Sequence, residues 1–240
     1  MVHLFKPTSY SFGAALAVGA TLAWKLVSFA NALLIALYFG AGRSTDVYFY
    51  LIMFMGFGVT FLQRMNAAVL IPEAMAQDAQ TPNGGRPLLN GFLYFYVGLV
   101  VLLGAAGWLC PVWLTSFFSR FDVAQLEADK AMLAGAFVLF GLQALTAYLN
   151  AVLEMYRRFM AALFTPLNAL FPLLFLLLFG HIWGIISMIY GFLAANLVQI
   201  IAFLWAMKRE LAWDFSAVCL RGHQKLAGNL LSSQLIEGAN

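Results

Sequence analysis

The chain has 240 residues, 63% of them hydrophobic and only 10% charged, with a formal net charge of +3 and a mean hydropathy of +0.87. Soluble globular domains carry about 25% charged residues, so this balance excludes a water-soluble fold and implies an all-α integral membrane protein. The small positive charge leaves no nucleic-acid footprint, and two distant cysteines, Cys110 and Cys219, read as unpaired thiols rather than a metal cluster.

A spanning helix needs about 20 mostly apolar residues. Six stretches meet that requirement, at 12–39, 46–72, 90–118, 131–153, 161–180 and 182–207. The first is a retained helix and not a secretory leader, because its apolar run crosses Lys25 and continues to Gly40. Lys25 lies near its middle, about 20 Å from either end at 1.5 Å per residue, too far for the lysine stem to reach water along the helix. A lysine there costs about 2.5–3.5 kcal/mol to insert. The cost is tolerable if the ammonium faces a wet cavity, a carboxylate or an anionic ligand.

Between the first two spans lies "YFGAGRSTDVYFY" (38–50), a Gly-rich turn holding Arg43 and Asp46. Asp46 is placed to cap the start of the second helix, where a negative charge meets the helix dipole. Arg43 stands near enough to pair with it or with lipid headgroups. The turn is either simply solvated or a gate contact. In the second span, Gly56, Thr60, Gln63, Arg64 and Ala67 share one polar, small-residue face. Arg64 is open to two readings, a cavity residue or a side chain snorkelling to lipid phosphates.

"QDAQTPNGGRP" (77–87) is the clearest loop. The fourth span carries Gln143, Thr146, Asn150 and Glu154 at +3, +7 and +11, a single polar stripe. Such residues often do no more than bond neighbouring helices. Together with Lys25 and the second-span stripe they predict a shared hydrated cavity. The fifth span carries Thr165, Pro166, Asn168 and Pro172, whose prolines free backbone carbonyls at membrane depth. It joins the sixth by a tight hairpin at Gly180-His181. Residues 208–225 read as a cytoplasmic interfacial linker, and 226–240 as the start of a truncated seventh helix. A six-helix lobe then occupies 1–207.

Catalytic chemistry is not readable. His3, His181 and His223 have no metal-ligand spacing, no phosphate-binding Gly-Lys loop or nucleophile elbow occurs, and the acidic residues lie almost wholly at helix ends. No metal, no cofactor and no enzyme activity are therefore expected.

Two segments carry a family resemblance. "LYFGAGRSTDVYFY" resembles the first interhelical turn of MviN/MurJ-type lipid flippases, which reads much like L-F-G-A-G-x-x-T-D-A-F-F. "AVLEMYRRFMAALFTPLNAL" (151–170) is similar to that family's aromatic-x-R-F run and Pro-rich fifth helix. These proteins belong to the multidrug/oligosaccharidyl-lipid/polysaccharide exporter superfamily. The resemblance implies two pseudo-symmetric six-helix lobes around a cationic cavity, and a chain that is the N-terminal lobe and lacks its C-terminal partner lobe. It also implies alternating access, with an undecaprenyl-diphosphate-linked saccharide flipped across the bacterial inner membrane. The partners expected are that lipid-linked substrate, membrane lipids and a coupling ion, with no nucleic acid.

On the same resemblance, Lys25 falls where the family has a basic residue and Asp46 matches its turn aspartate. Asn31 stands where a second arginine is common, and Val59-Thr60 where an arginine pair occurs. The substrate-contacting set is then Lys25, Asn31, Thr60, Gln63, Arg64, Gln143, Thr146 and Asn150, with Arg43 and Asp46 at the gate turn. The alternatives are a cation-coupled small-molecule exporter of the same superfamily and a membrane enzyme of envelope glycan assembly. The absence of catalytic carboxylates and of a large outer loop speaks against the enzyme, and a non-transporting scaffold would not need Lys25 at mid-membrane.

With the N-terminus in the cytoplasm, the inside segments hold Lys6, Arg86, Arg157, Arg158, Lys208, Arg209, Arg221 and Lys225, against Arg43, Arg120 and Lys130 outside. This follows the positive-inside rule. In a Cys110→Ser, Cys219→Ser background, an impermeant thiol reagent applied to intact cells is expected to label Arg43→Cys and Arg120→Cys. Arg86→Cys and Arg157→Cys should react only after permeabilisation, and the opposite pattern would invert the topology.

Overall fold

The computed structural model describes residues 10–81 and 83–207, and every regular element among them is helical. The linker and seventh-helix expectations for 208–240 lie outside the described residues. Among the described residues nine α-helices follow in chain order. They are α1 (Tyr10–Phe39), α2 (Arg43–Met65), α3 (Ile71–Gln80), α4 (Arg86–Leu109), α5 (Pro111–Phe118), α6 (Val123–Ala128), α7 (Lys130–Met155), α8 (Leu167–Trp183) and α9 (Ile186–Met207). A π turn, Asn66–Leu70, fuses α2 to α3, and a 3₁₀ segment, Phe159–Phe164, precedes α8.

Six helices among the described residues are long and apolar enough to cross a membrane, at Ser11–Phe39, Arg43–Gln80, Arg86–Leu109, Lys130–Met155, Ala161–Trp183 and Ile186–Met207. The chain is a multi-pass, all-α membrane protein. Its helices pack around α7, which meets α4, α9 and α2. In α7's apolar window 67% is buried, against 11% in α1, so α7 is the axis and α1 the periphery. α1 rests on α8 and the 3₁₀ segment, and turns Leu22, Leu26, Phe29, Leu33 and Leu37 outward.

Backbone chemistry sets the ends of the spans. Gly40 has φ 59°, and its N–H donates to Ala36 O at 3.1 Å, closing α1 with a left-handed residue that glycine adopts without a Cβ clash. Gly42, not Asp46, occupies the N-cap of α2. Asp46 instead lies in the first turn, its backbone N–H bonded to Gly42 O, so its charge meets the dipole but caps nothing. The second span runs on to Gln80, which shortens the connection expected at 77–87 to 81–85. Asp78 Oδ1 accepts the Gly85 N–H at 2.9 Å and closes that loop.

Two proline effects divide the expected spans. The residue before a proline is driven out of the helical region. Cys110 accordingly sits at φ −145°, ψ 51°, and the stretch 90–118 becomes α4 and a short α5. Pro72 has no N–H to donate to Ala68 O, and the ladder adapts upstream through the π turn, where the Ile71 N–H reaches back to Asn66 O.

The hairpin before α9 also moves. α8 continues through Gly180 and His181 to Trp183, and Gly184, at φ 64° and ψ −149°, makes the reversal. That backbone region is open essentially to glycine alone, so the second glycine of "GHIWGI" is the one the turn needs. Past it, α8 and α9 come into backbone contact. A Cβ built on Gly191 would lie 2.6 Å from Pro172 Cα, so only a small residue lets the helices approach this closely.

Gly191→Val is expected to cost about 1–3 kcal/mol through overpacking. It should lower the thermal unfolding midpoint of the purified protein in detergent. Gly98→Ala, whose Cβ would meet nothing within 4 Å, should leave that midpoint unchanged.

Candidate functional site

A cavity of about 540 Å³ opens among five of the six spans, lined from α1, α2, α7, α8, α9 and the 3₁₀ segment. α4 does not reach it, because it packs on the far side of α7, where Gly141 admits Val100. The cavity is rich in amides. Asn31, Gln63, Gln143, Asn150, Asn168, Asn196 and Gln199 all line it, with hydroxyls from Ser28, Thr60, Thr146 and Thr165. Among the described residues its lining contains no Lys, Arg, His, Asp or Glu.

Six of the eight residues expected to contact substrate therefore meet at one place: Asn31, Thr60, Gln63, Gln143, Thr146 and Asn150. Lys25 and Arg64 do not join them. Each follows a lining residue, Trp24 or Gln63, by one position, which is about 100° around a helix. Both side chains are exposed beside the cavity and not inside it, and neither pairs with a carboxylate among the described residues. Arg43 and Asp46 are exposed and make no ion pair with each other. What holds their turn is Gln125 Nε2, which donates to Arg43 O at 3.2 Å, while Tyr50 Oη donates to Phe118 O at 2.8 Å nearby.

One wall of the cavity is a continuous hydrogen-bonded chain. Thr146 Oγ1 donates its one proton to Asn196 Oδ1 at 3.1 Å, with Leu142 O at 2.9 Å as the alternative acceptor. Asn196 Nδ2 donates to Asn168 Oδ1 at 3.2 Å, and Asn168 Nδ2 lies 3.4 Å from Gln199 Oε1. Gln199 Nε2 ends the chain on Phe164 O at 2.7 Å. Asn196 is fully buried and Gln199 is 2% exposed, so these bonds fix the amides between α7, α8 and α9. Asn196 and Gln199 were not singled out in the sequence. Their +3 spacing in an apolar helix is the same signal that marked α7.

The rest of the lining is less committed. Asn31 Nδ2 donates to Ala169 O at 2.8 Å, beside the turn of α8 that Pro172 leaves open. Its Oδ1, in a residue only 7% exposed, has no partner among the described residues. The side chains of Gln63 and Gln143 likewise make no hydrogen bond to another described residue. Thr60 Oγ1 donates to Gly56 O at 2.7 Å within its own helix. Asn150 Nδ2 donates to Glu154 Oε1 at 2.7 Å, which continues the α7 stripe out of the cavity.

A second polar cluster lies outside the cavity. Tyr96 Oη donates to Asn66 Oδ1 at 2.8 Å, its ring stacks on Tyr148 at 5.0 Å, and Tyr148 Oη donates to Leu89 O at 2.6 Å. These bonds brace the π turn against α4 and α7. At the end of α7, Arg158 donates to the Ala206 carbonyl and ties that end to α9. No group of three or more His, Cys, Asp or Glu among the described residues could hold a metal ion.

No family model, no curated protein and no solved structure matches the chain.

A double-mutant cycle of Thr146→Val and Asn196→Ala is expected to give a coupling energy of about 0.6 kcal/mol, with about 1.7 kcal/mol as the ceiling for such bonds in membranes. Reversible unfolding of the protein in bicelles measures it. A value at zero would remove Thr146 from the wall.

Proposed function

We propose that the chain is one lobe of a transporter that flips a lipid-linked saccharide across the bacterial inner membrane by alternating access. The observation that carries this reading is the amide-bearing cavity of about 540 Å³ set among apolar spans. Helix-to-helix bonding accounts for Asn31, Asn168, Asn196 and Gln199 but gives no use to the Gln63 and Gln143 amides, which line open space and bond no other described residue. The volume lies within the roughly 300–1,000 Å³ of small-molecule sites. The resemblance of residues 37–50 and 151–170 to MviN/MurJ-type flippases supplies the substrate class and the two-lobe arrangement. The cytoplasmic N-terminus rests on the distribution of basic residues.

A second reading, a small-molecule exporter, is favoured by the lack of any charged side chain among the described lining residues, since a diphosphate would be expected to meet cations. The two readings differ in whether a lipid is moved.

Gly56 separates them. It lines the cavity, and a Cβ built on it meets nothing within 4 Å, so Gly56→Trp fills the space without a local clash. Export of lipid-linked glycan in a strain depleted of its own flippase, with the full-length protein normalised to membrane abundance, should fall at least about tenfold. Normal export by Gly56→Trp at normal abundance would remove the cavity from the transport path. Failure of the unmodified protein to support export, with retained efflux of a small solute, would favour the exporter.

A further inference from the structure

The free hydrogen-bonding groups of the cavity define what it can hold. Among the described residues, Gln63 and Gln143 each present a complete, unengaged primary amide, and Asn31 Oδ1 is a buried acceptor without a donor. A primary amide offers two donors and an acceptor with two lone pairs, and its natural complement is a group that both donates and accepts. Hydroxyls do so; phosphates and carboxylates only accept, and ammonium groups only donate. Burying a full charge against uncharged amides leaves it without a counter-ion, which costs several kcal/mol even after relaxation. Trp24 and Phe49 add flat apolar surfaces to the same lining, suited to the C–H face of a ring.

The geometry points to a neutral polyhydroxylated ring, a sugar, as the group that the cavity binds, with any phosphate excluded from it. We infer that Gln63, Gln143 and Asn31 Oδ1 are its hydrogen-bonding contacts and that Lys25 and Arg64 are not. This rests on the saccharide-transport reading, and it reverses the expectation that Lys25 meets a diphosphate inside the cavity. Asn196 and Asn168, already bonded to each other, form a rigid backing beside them. Loss of Gln63 or Gln143 strands no protein partner, so those two residues can be removed without penalising the fold.

The test uses the full chain in lipid nanodiscs and four probes below their micellar concentrations: dodecyl maltoside, dodecyl phosphate, dodecanol and free maltose. Binding is read as ligand-dependent thermal stabilisation. Dodecyl maltoside should stabilise the protein at concentrations where dodecyl phosphate does no better than dodecanol. Gln63→Leu with Gln143→Leu should weaken the maltoside by about tenfold, with the unliganded midpoint unchanged. Lys25→Met should leave it within twofold. Dodecyl phosphate binding as tightly as the maltoside, or an unchanged maltoside affinity in the double variant, would overturn the inference. Maltose binding as tightly as dodecyl maltoside would sustain the sugar site and overturn the lipid-linked reading instead. Loss of glycan export with intact maltoside binding would count against the transport reading alone.

Discussion

The hydrogen bond between Thr146 and Asn196 joins the two most buried spans of the bundle, and most of the architecture can be followed outward from it. Apolar side chains do not drive helices together in a bilayer, because lipid tails are as apolar as leucine. Close packing and the pairing of polar groups must supply the adhesion. From Asn196 the chain of amides passes to Asn168 on α8 and Gln199 on α9, so three spans share one polar seam. Where that seam meets α8, the helix is already open at Pro172, and Asn31 brings α1 in by donating to Ala169.

Close packing does the rest, and it is concentrated at glycines. Gly191 against Pro172 brings α8 and α9 to backbone contact, and Gly141 against Val100 does the same for α4 and α7. The polar seam and the glycine contacts lie on opposite sides of the bundle's needs. The glycines close the faces that have no space between them, and the amides surround the face that does. Between α2 and α7 both situations occur: Gly58 lets Phe140 of α7 approach closely, whereas beside the cavity no bond between described residues engages the Gln63 or Gln143 side chains and a Cβ on Gly56 would touch nothing.

Much of this was legible in the sequence wherever the bilayer imposes the rule. The six spans follow from length and apolarity, and the stripes of Gln143, Thr146 and Asn150 and of Thr60 and Gln63 follow from helical periodicity. Where one backbone residue decides, the sequence offered rival candidates. Gly180 and Gly184 could each have made the last hairpin, and only the one with φ 64° does. Pro111 announces the break at Cys110 by the restriction it places on its neighbour, and reading 90–118 as one helix overlooked it. The cost of Lys25 at mid-membrane was legible, but the direction of its side chain was not. Cost depends on depth along the helix, whereas direction depends on one step of about 100° around it, and that step separates Trp24 inside the cavity from Lys25 beside it.

That angular step bears on how a flipping device could work. A charge inside a cavity that alternates between two faces must be resolvated or repaired at each turn, and an uncompensated buried charge costs several kcal/mol. Amides avoid the problem, since each hydrogen bond they make is worth only about 0.5–1.5 kcal/mol net. Several together can select a hydroxylated ring, and each can be released separately to water. With Lys25 and Arg64 outside the lining, no charge stands where, on the transport reading, the ligand would have to slide. Selection and release then fall to the neutral groups inside the cavity.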